Sequence, residues 1–232
     1  MSLLVNHVAA KIGDVPILYD VHFGVESHEV LALVGRNGMG KTTTLKTLMG
    51  LATVTGGSIM SDGQELTKLK IHQRRRSGLV YVPEDGGVFQ TLTVEENLAL
   101  VCDRPHREAL GPFPELMPLW HKKAALLSGG ERKMLAFGRA WLSNAKWFLI
   151  DEPSLGLAPM VVKRLAVAIK TLREKGGVVL VEQNLHLAQA VADRYVVMVR
   201  GRTVESSSMA SLRSSEFFMG GLEKLEDDEH GG

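Results

Sequence analysis

Nine consecutive residues constrain this chain more than any others: Gly35, Arg36, Asn37, Gly38, Met39, Gly40, Lys41, Thr42 and Thr43. They follow the apolar run Val30 to Val34 and precede a helical pattern carried by Leu45, Leu48 and Met49. Strand, glycine loop and helix, in that order, form the context that the phosphate-loop motif G-x-x-x-x-G-K-[ST] requires. The glycines let the backbone turn tightly, so that successive amide N–H groups point at a polyphosphate. The helix that starts near Lys41 adds the positive end of its dipole. Lys41 then reaches the β and γ phosphates of a bound nucleotide, and the Thr42 hydroxyl is a Mg²⁺ ligand.

A second nucleotide element lies downstream, in Trp147-Phe148-Leu149-Ile150-Asp151-Glu152-Pro153. It reads as an apolar strand ending in acid, which brings Asp151 to the C-terminal sheet edge where ligands of open parallel sheets collect and where it would orient Mg²⁺. Glu152, one step further on, is placed to polarise an attacking water. Between the two elements, Leu127-Ser128-Gly129-Gly130-Glu131 opens a long helix with Met134, Leu135, Gly138 and Leu142 at helical spacing. Ser128 to Glu131 has the form of a capping box. A helix start with two glycines and a serine is also open to a phosphate, and both readings can hold together.

Composition bounds the rest. The chain has 232 residues, 45% apolar and 23% charged, which is enough for a real core in one large α/β domain or two smaller ones. A net charge of +1 gives no bulk electrostatic case for nucleic acid or a membrane surface. No apolar run is long enough to span a bilayer, and the N-terminus lacks the pattern of a signal peptide, so a chain that neither crosses a membrane nor is exported is expected. Cys102 is the single cysteine and reads as a small apolar residue.

In chain order, strands are expected at Leu3 to Val8, Ile17 to Val25 and Val30 to Val34, then a strand and turn within Gly56 to Gly63. Arg74-Arg75-Arg76 reads as a solvated helix end ahead of the strand Leu79 to Val82. Thr93 to Glu96 is a capping box. Arg104 to Leu119 carries four prolines and reads as a loop-rich insertion with a short helix at Arg107 to Leu110. Pro159 suits the first turn of a helix striped by Val161, Leu165, Ala168, Ile169 and Leu172, with Gly176-Gly177 as its stop. Val178 to Val181 is a buried parallel strand with Glu182, Gln183 and Asn184 at its edge, followed by a helix from Leu185, a strand Tyr195 to Val199, and an acidic tail from Glu223.

Taken together, the loop from Gly35, the Leu127 to Glu131 stretch and Ile150-Asp151-Glu152-Pro153 resemble the ATP-binding subunits of ABC transporters. The stretches Val82-Pro83-Glu84, Leu92-Thr93-Val94-Glu95-Glu96-Asn97-Leu98, Asp151 to Pro159 and Val181-Glu182-Gln183-Asn184 resemble the subfamily that powers import of branched-chain amino acids, urea and short amides. The resemblance reaches to about Gly221. It implies an α/β fold of the P-loop NTPase type, with a RecA-like core on a mainly parallel sheet, an N-terminal antiparallel β part and a small helical subdomain. It implies one nucleotide-binding domain, with residues 1–84 and 127–221 as core, 85–126 as helical subdomain and 222–232 as a disordered tail.

The family's roles carry over by position. Gly35, Arg36, Asn37, Gly38, Gly40, Lys41, Thr42 and Thr43 would hold ATP, Thr42, Asp151 and Glu84 would hold Mg²⁺, and Glu152, as base, would be catalytic together with Gln183 and Glu84. Ser128, Gly129 and Gly130 would contact the γ-phosphate held by a second ATPase subunit, so that two chains close head to tail on two ATP molecules. Four positions depart from the common pattern: Glu131 where Gln is usual, Glu84 at the Q-loop glutamine that senses Mg²⁺ and the membrane partner, Gln183 at the switch histidine, and Ile12 where an aromatic ring stacks on adenine. The implied partners are transmembrane permease subunits, docked on the helical subdomain, with a solute-binding protein acting indirectly and no nucleic acid. The implied place is the inner face of the cell membrane. Phe89, Leu92, Phe113 and Trp120 either line the docking groove or belong to the core. A soluble ABC ATPase acting on DNA or ribosomes would carry a coiled-coil insertion or tandem units, and the chain has neither. An ATP-gated dimerisation module with little turnover is a further reading, prompted by Ile12 and Gln183.

Overall fold

A computed structural model describes residues 1–102, 110 and 112–209. The acidic tail and, apart from Leu110, the short helix expected at Arg107 to Leu110 lie outside them. The strands are β1 (Ser2–Ile12), β2 (Val15–Glu26), β3 (Val30–Val34), β4 (Thr53–Ser61), β5 (Gln64–Glu65), β6 (Leu79–Val82), β7 (Trp147–Asp151), β8 (Gly177–Val181), β9 (Arg194–Val199) and β10 (Arg202–Ser208). The helices are α1 (Lys41–Met49), α2 (Ile71–Arg76), α3 (Val94–Ala99), α4 (Gly129–Leu142), α5 (Pro159–Arg173) and α6 (Leu185–Val191). The fold is α/β, around one ten-stranded sheet in the order β5-β4-β1-β2-β10-β9-β3-β8-β7-β6.

The two halves of the sheet follow from their connections. β1, β2, β4 and β5 pair antiparallel, with short turns joining β1 to β2 and β4 to β5. β3, β6, β7, β8 and β9 run parallel, and β6 to β9 are each reached through a helical crossover. β3, β7 and β8 are buried along their whole length, as expected of strands covered on both faces. Alternation along β3 sends Leu31 and Leu33 to one face and Val30 to the other. Leu45, Leu48 and Met49 of α1 share a core with Leu3, Val5 and Val21 of the antiparallel half and Leu33, Val181 and Val196 of the parallel half. The sheet therefore wraps around the helix that leaves the phosphate loop. The opposite face is covered by α4 and α5 through Leu135, Phe137, Leu165 and Ile169.

Two expectations need correction. Arg74 is not part of a solvated helix end: only 2% of it is exposed. Its guanidinium donates to the carbonyls of Thr47 and Leu48 at 2.6 and 2.9 Å, of Leu69 at 3.0 Å and of Thr67 at 2.7 Å. The last carbonyls of α1 have no partner within their helix, and a buried cation satisfies them while opposing the negative end of the dipole. Arg75 and Arg76 are exposed as expected. Gly176-Gly177 is a structural necessity beyond a helix stop, because a Cβ at Gly177 would lie 2.4 Å from the Trp147 ring and one at Gly176 would lie 2.1 Å from the Lys146 carbonyl. Of the four aromatic and apolar residues with two readings, Phe113 and Trp120 are core, whereas Phe89 is 51% exposed.

Candidate functional site

The site grows from the C-terminal edge of β3, where the chain turns through Gly35 to Gly40 into α1. Gly40 has φ of 97°, a left-handed conformation, and a Cβ there would approach Leu18 Cδ2 to 2.8 Å. Gly35 lies against the Met198 carbonyl, 2.5 Å from where a Cβ would stand. These two glycines are thus required by the packing of the loop on β2 and β9, whereas Gly38, with φ of 81°, has open space around it. The Lys41 ammonium donates to the carbonyls of Gly35 at 2.8 Å and Arg36 at 2.9 Å, which arches the side chain over the loop. Burial pulls its pKa down, and Glu152, Asp151 and Glu182 oppose that shift. Lys41 thus stands as the cation among three carboxylates.

Asp151, at the end of β7 and 1% exposed, is held on both oxygens. The Thr42 hydroxyl donates to Oδ1 at 2.9 Å and the Tyr81 hydroxyl to Oδ2 at 2.8 Å. The Tyr81 phenol is pushed well above its ordinary pKa, first by burial and then by the Asp151 hydrogen bond, so it remains a donor. The chain spacing of 109 residues between Thr42 and Asp151 is closed by the adjacency of β3, β8 and β7.

Glu152 has φ of 39°, unusual for a side chain of its kind, and its amide donates to the Val181 carbonyl at 2.9 Å. Its carboxylate accepts the Gln183 amide at 2.6 Å. Gln183 and Glu152 are thus brought together from the ends of neighbouring strands. Glu182 was visible in the sequence only as part of a strand edge, yet it organises this corner. It is 2% exposed, and its Oε1 accepts the amides of Gln183 and Asn184, both at 2.8 Å, while Oε2 accepts that of Ser154 at 3.3 Å. One buried carboxylate therefore fixes the loop after β7 to the loop after β8. Its signal in the sequence was an acid directly after an all-apolar strand.

The remaining predicted residues lie in other surroundings. Ser128, Gly129 and Gly130 form the start of α4, where the Ser128 hydroxyl caps the Glu131 amide at 3.2 Å and the Glu131 carboxylate accepts the Ser128 amide at 2.7 Å. That backbone hydrogen bond holds the Glu131 carboxyl below its usual range. A Cβ at Gly130 would meet Val161 of α5 at 3.0 Å, whereas Ser128 and Gly129 are exposed. The Glu84 side chain is exposed, and its carbonyl accepts the ammonium of Lys133, a buried residue of α4. Ile12, 44% exposed, closes β1 opposite Val15.

Residues 18–155 match the family described as ABC transporter. The chain is 40% identical over 216 residues to the high-affinity branched-chain amino acid transport ATP-binding protein BraG of Pseudomonas aeruginosa, covering 89% of this chain and 93% of that one. It is 38% identical over 212 residues to the probable branched-chain amino acid transport ATP-binding protein LivF of Archaeoglobus fulgidus, covering 87% and 90%. Identity is 31% over 228 residues, 93% and 95% of the two chains, to the lipopolysaccharide export system ATP-binding protein LptB of Haemophilus influenzae. Among solved structures, an ATP-binding subunit of an ABC transporter superposes with a TM-score of 0.80 at 27% identity, covering 98% of this chain and 99% of that one.

Proposed function

The chain belongs to the ABC transporter family, and from that membership we propose that it is the ATP-binding and hydrolysing subunit that drives import of branched-chain amino acids or related small solutes through separate membrane subunits. The observation that carries this reading is the convergence of Lys41, the Thr42–Asp151 pair and the Glu152–Gln183 pair on one sheet edge. The solute class rests on the relatives, at 40% and 38% identity.

The loop amides from Gly35 to Thr43 and the Lys41 ammonium bind the phosphates, and the buried position of Lys41 strengthens its attraction to them. The Thr42 hydroxyl and the Asp151 carboxylate, 2.9 Å apart, are two hard oxygen donors of the kind Mg²⁺ takes, and they fit that ion. Mg²⁺, when bound, neutralises charge on the β and γ phosphate oxygens. Glu152 accepts the proton of the attacking water, and Gln183 orients the carboxylate through its amide. At the switch position Gln183 offers a neutral donor, without charge assistance. Glu84 serves as a link between Mg²⁺ and the membrane partner, and Ile12 covers adenine without aromatic stacking. Ser128, Gly129 and Gly130 act on the ATP held by a second ATPase subunit, which explains why two of them face outward at a helix N-terminus. The permease subunits dock on the region 85–126 at the inner face of the membrane, and a solute-binding protein acts through them. No helix of the described residues is long and apolar enough to cross a membrane itself.

The relatives at 31% identity favour a second solute class, lipopolysaccharide, with less support than the first. ATP hydrolysis in vesicles carrying the chain with its permease subunits and solute-binding protein separates the two. Stimulation by leucine, isoleucine or valine is expected, and stimulation by lipopolysaccharide alone would replace the first assignment with the second.

A further inference from the structure

Among the described residues, one group of three metal-ligating side chains converges outside the nucleotide site: His7 on β1 with Asp20 and His22 on β2. We propose that these three residues form a binding site for a divalent transition ion of the zinc class. His7 Nδ1 is 2.9 Å and His22 Nδ1 is 3.7 Å from the same Asp20 Oδ1, and all three ligand atoms lie within 4.8 Å of one another. A zinc ion bound about 2.0–2.2 Å from each donor sets tetrahedral edges of roughly 3.4 Å, so the two measured separations bracket the required one. The side chains are 74%, 38% and 51% exposed, which leaves room for small rotations and for access from water. Two imidazoles and one carboxylate suit zinc, cobalt or nickel rather than Mg²⁺ or Ca²⁺.

The surrounding backbone is shaped to make this group. β1 breaks register between Val5 and Val8, and His7 sits in that bulge with φ of 48°. A bulge re-aims a side chain, and here it places Asn6 and His7 on the exposed side in succession. Gly57 on β4 accommodates it: a Cβ there would stand 2.3 Å from the His7 carbonyl and 2.4 Å from that of Asn6. On the other side, the Thr203 hydroxyl of β10 lies 2.9 Å from His22 Nδ1 and accepts the His22 amide at 3.0 Å. The two rings stack at 5.0 Å. His7 Nδ1 is within hydrogen-bond distance of Asp20 Oδ1 and His22 Nδ1 of the Thr203 hydroxyl; as neutral ligands both nitrogens can turn to one cation.

The location gives the ion a consequence. Asp20 pairs with Arg202 as the single register pair between β2 and β10, the seam that joins the antiparallel half of the sheet to the parallel half. The amides of Tyr19 and Asp20 donate to the Gly201 carbonyl, and the Gly201 amide donates to Met39 in the phosphate loop. An ion held by His7, Asp20 and His22 would tie β1 to β2 directly beside that seam.

The test is calorimetric titration of Zn²⁺ into the full untagged chain, without nucleotide or Mg²⁺, followed by thermal melts. One equivalent should bind with micromolar affinity, and at a hundredfold excess over Kd the melting temperature should rise by roughly 5–10 °C. Co²⁺ should give a visible d–d band. Asp20→Asn and His22→Ala should each weaken binding by about tenfold or more, while Asp151→Asn should leave it intact. Absence of saturable binding below about 100 μM, or binding unchanged in both variants, would overturn the proposal.

Discussion

At the scale of single residues, the chemistry and the scaffold divide differently between sequence and space. Lys41, Asp151 and Glu152 were legible because each stands in a local pattern whose chemistry is tied to its spacing. Arg74 and Glu182 were not, because their partners lie in other elements: a buried arginine on the carbonyls of α1, and a buried carboxylate on amides of two loops. Arg74→Met should therefore cost about 3 kcal/mol or more in denaturant unfolding, since it orphans buried carbonyls, whereas Arg75→Ala should stay within about 0.5 kcal/mol. Equal effects of the two substitutions would contradict the burial argument. The left-handed conformation of Glu152 is a second residue-scale feature invisible to pattern reading. It places the carboxylate against Gln183 and is maintained by the hydrogen bond that the Glu152 amide donates to the Val181 carbonyl.

At the scale of elements, capping chemistry was the most reliable guide. Both capping boxes, Thr93 with Glu96 and Ser128 with Glu131, close as the sequence implied. Their comparison separates stability from function. Thr93→Ala and Ser128→Ala should each cost about 1 kcal/mol of stability, but only Ser128→Ala should also lower ATP turnover. Equal turnover in the two variants would remove Ser128 from the proposed composite site. Glu131 adds a pH dependence. Its folded pKa lies below the unfolded value, so its contribution is complete above the ordinary carboxylate range and is lost as pH falls through the folded value. Unfolding of Glu131→Gln, compared with the parent chain, should show a difference at neutral pH that shrinks under acid. The β1 bulge shows in the sequence only as a three-residue step in the buried alternation, from Leu3 and Val5 to Val8 and Ala10, and the role of Gly57 depends on a backbone approach from another strand.

For the whole molecule, the α/β class and the parallel core followed from strand and helix alternation, while the joining of both halves into one sheet curled around α1 required the structure. That architecture puts the phosphate loop and both acidic strand ends on one edge and leaves the start of α4 facing outward, the arrangement a site shared between two chains needs. In Glu152→Gln, ATP should convert a 25.3 kDa chain into a dimer, read by light scattering, because removal of the base keeps the bridging nucleotide intact. A mass that remains that of one chain at saturating ATP would count against two copies of this chain closing on each other. Single-turnover hydrolysis, measured alongside ATP binding in the parent chain and in Glu152→Gln, checks Glu152 as the base of ATP hydrolysis at this sheet edge. Binding should agree within about threefold while the rate falls by about a hundredfold or more; a rate close to the parent's would contradict the assignment.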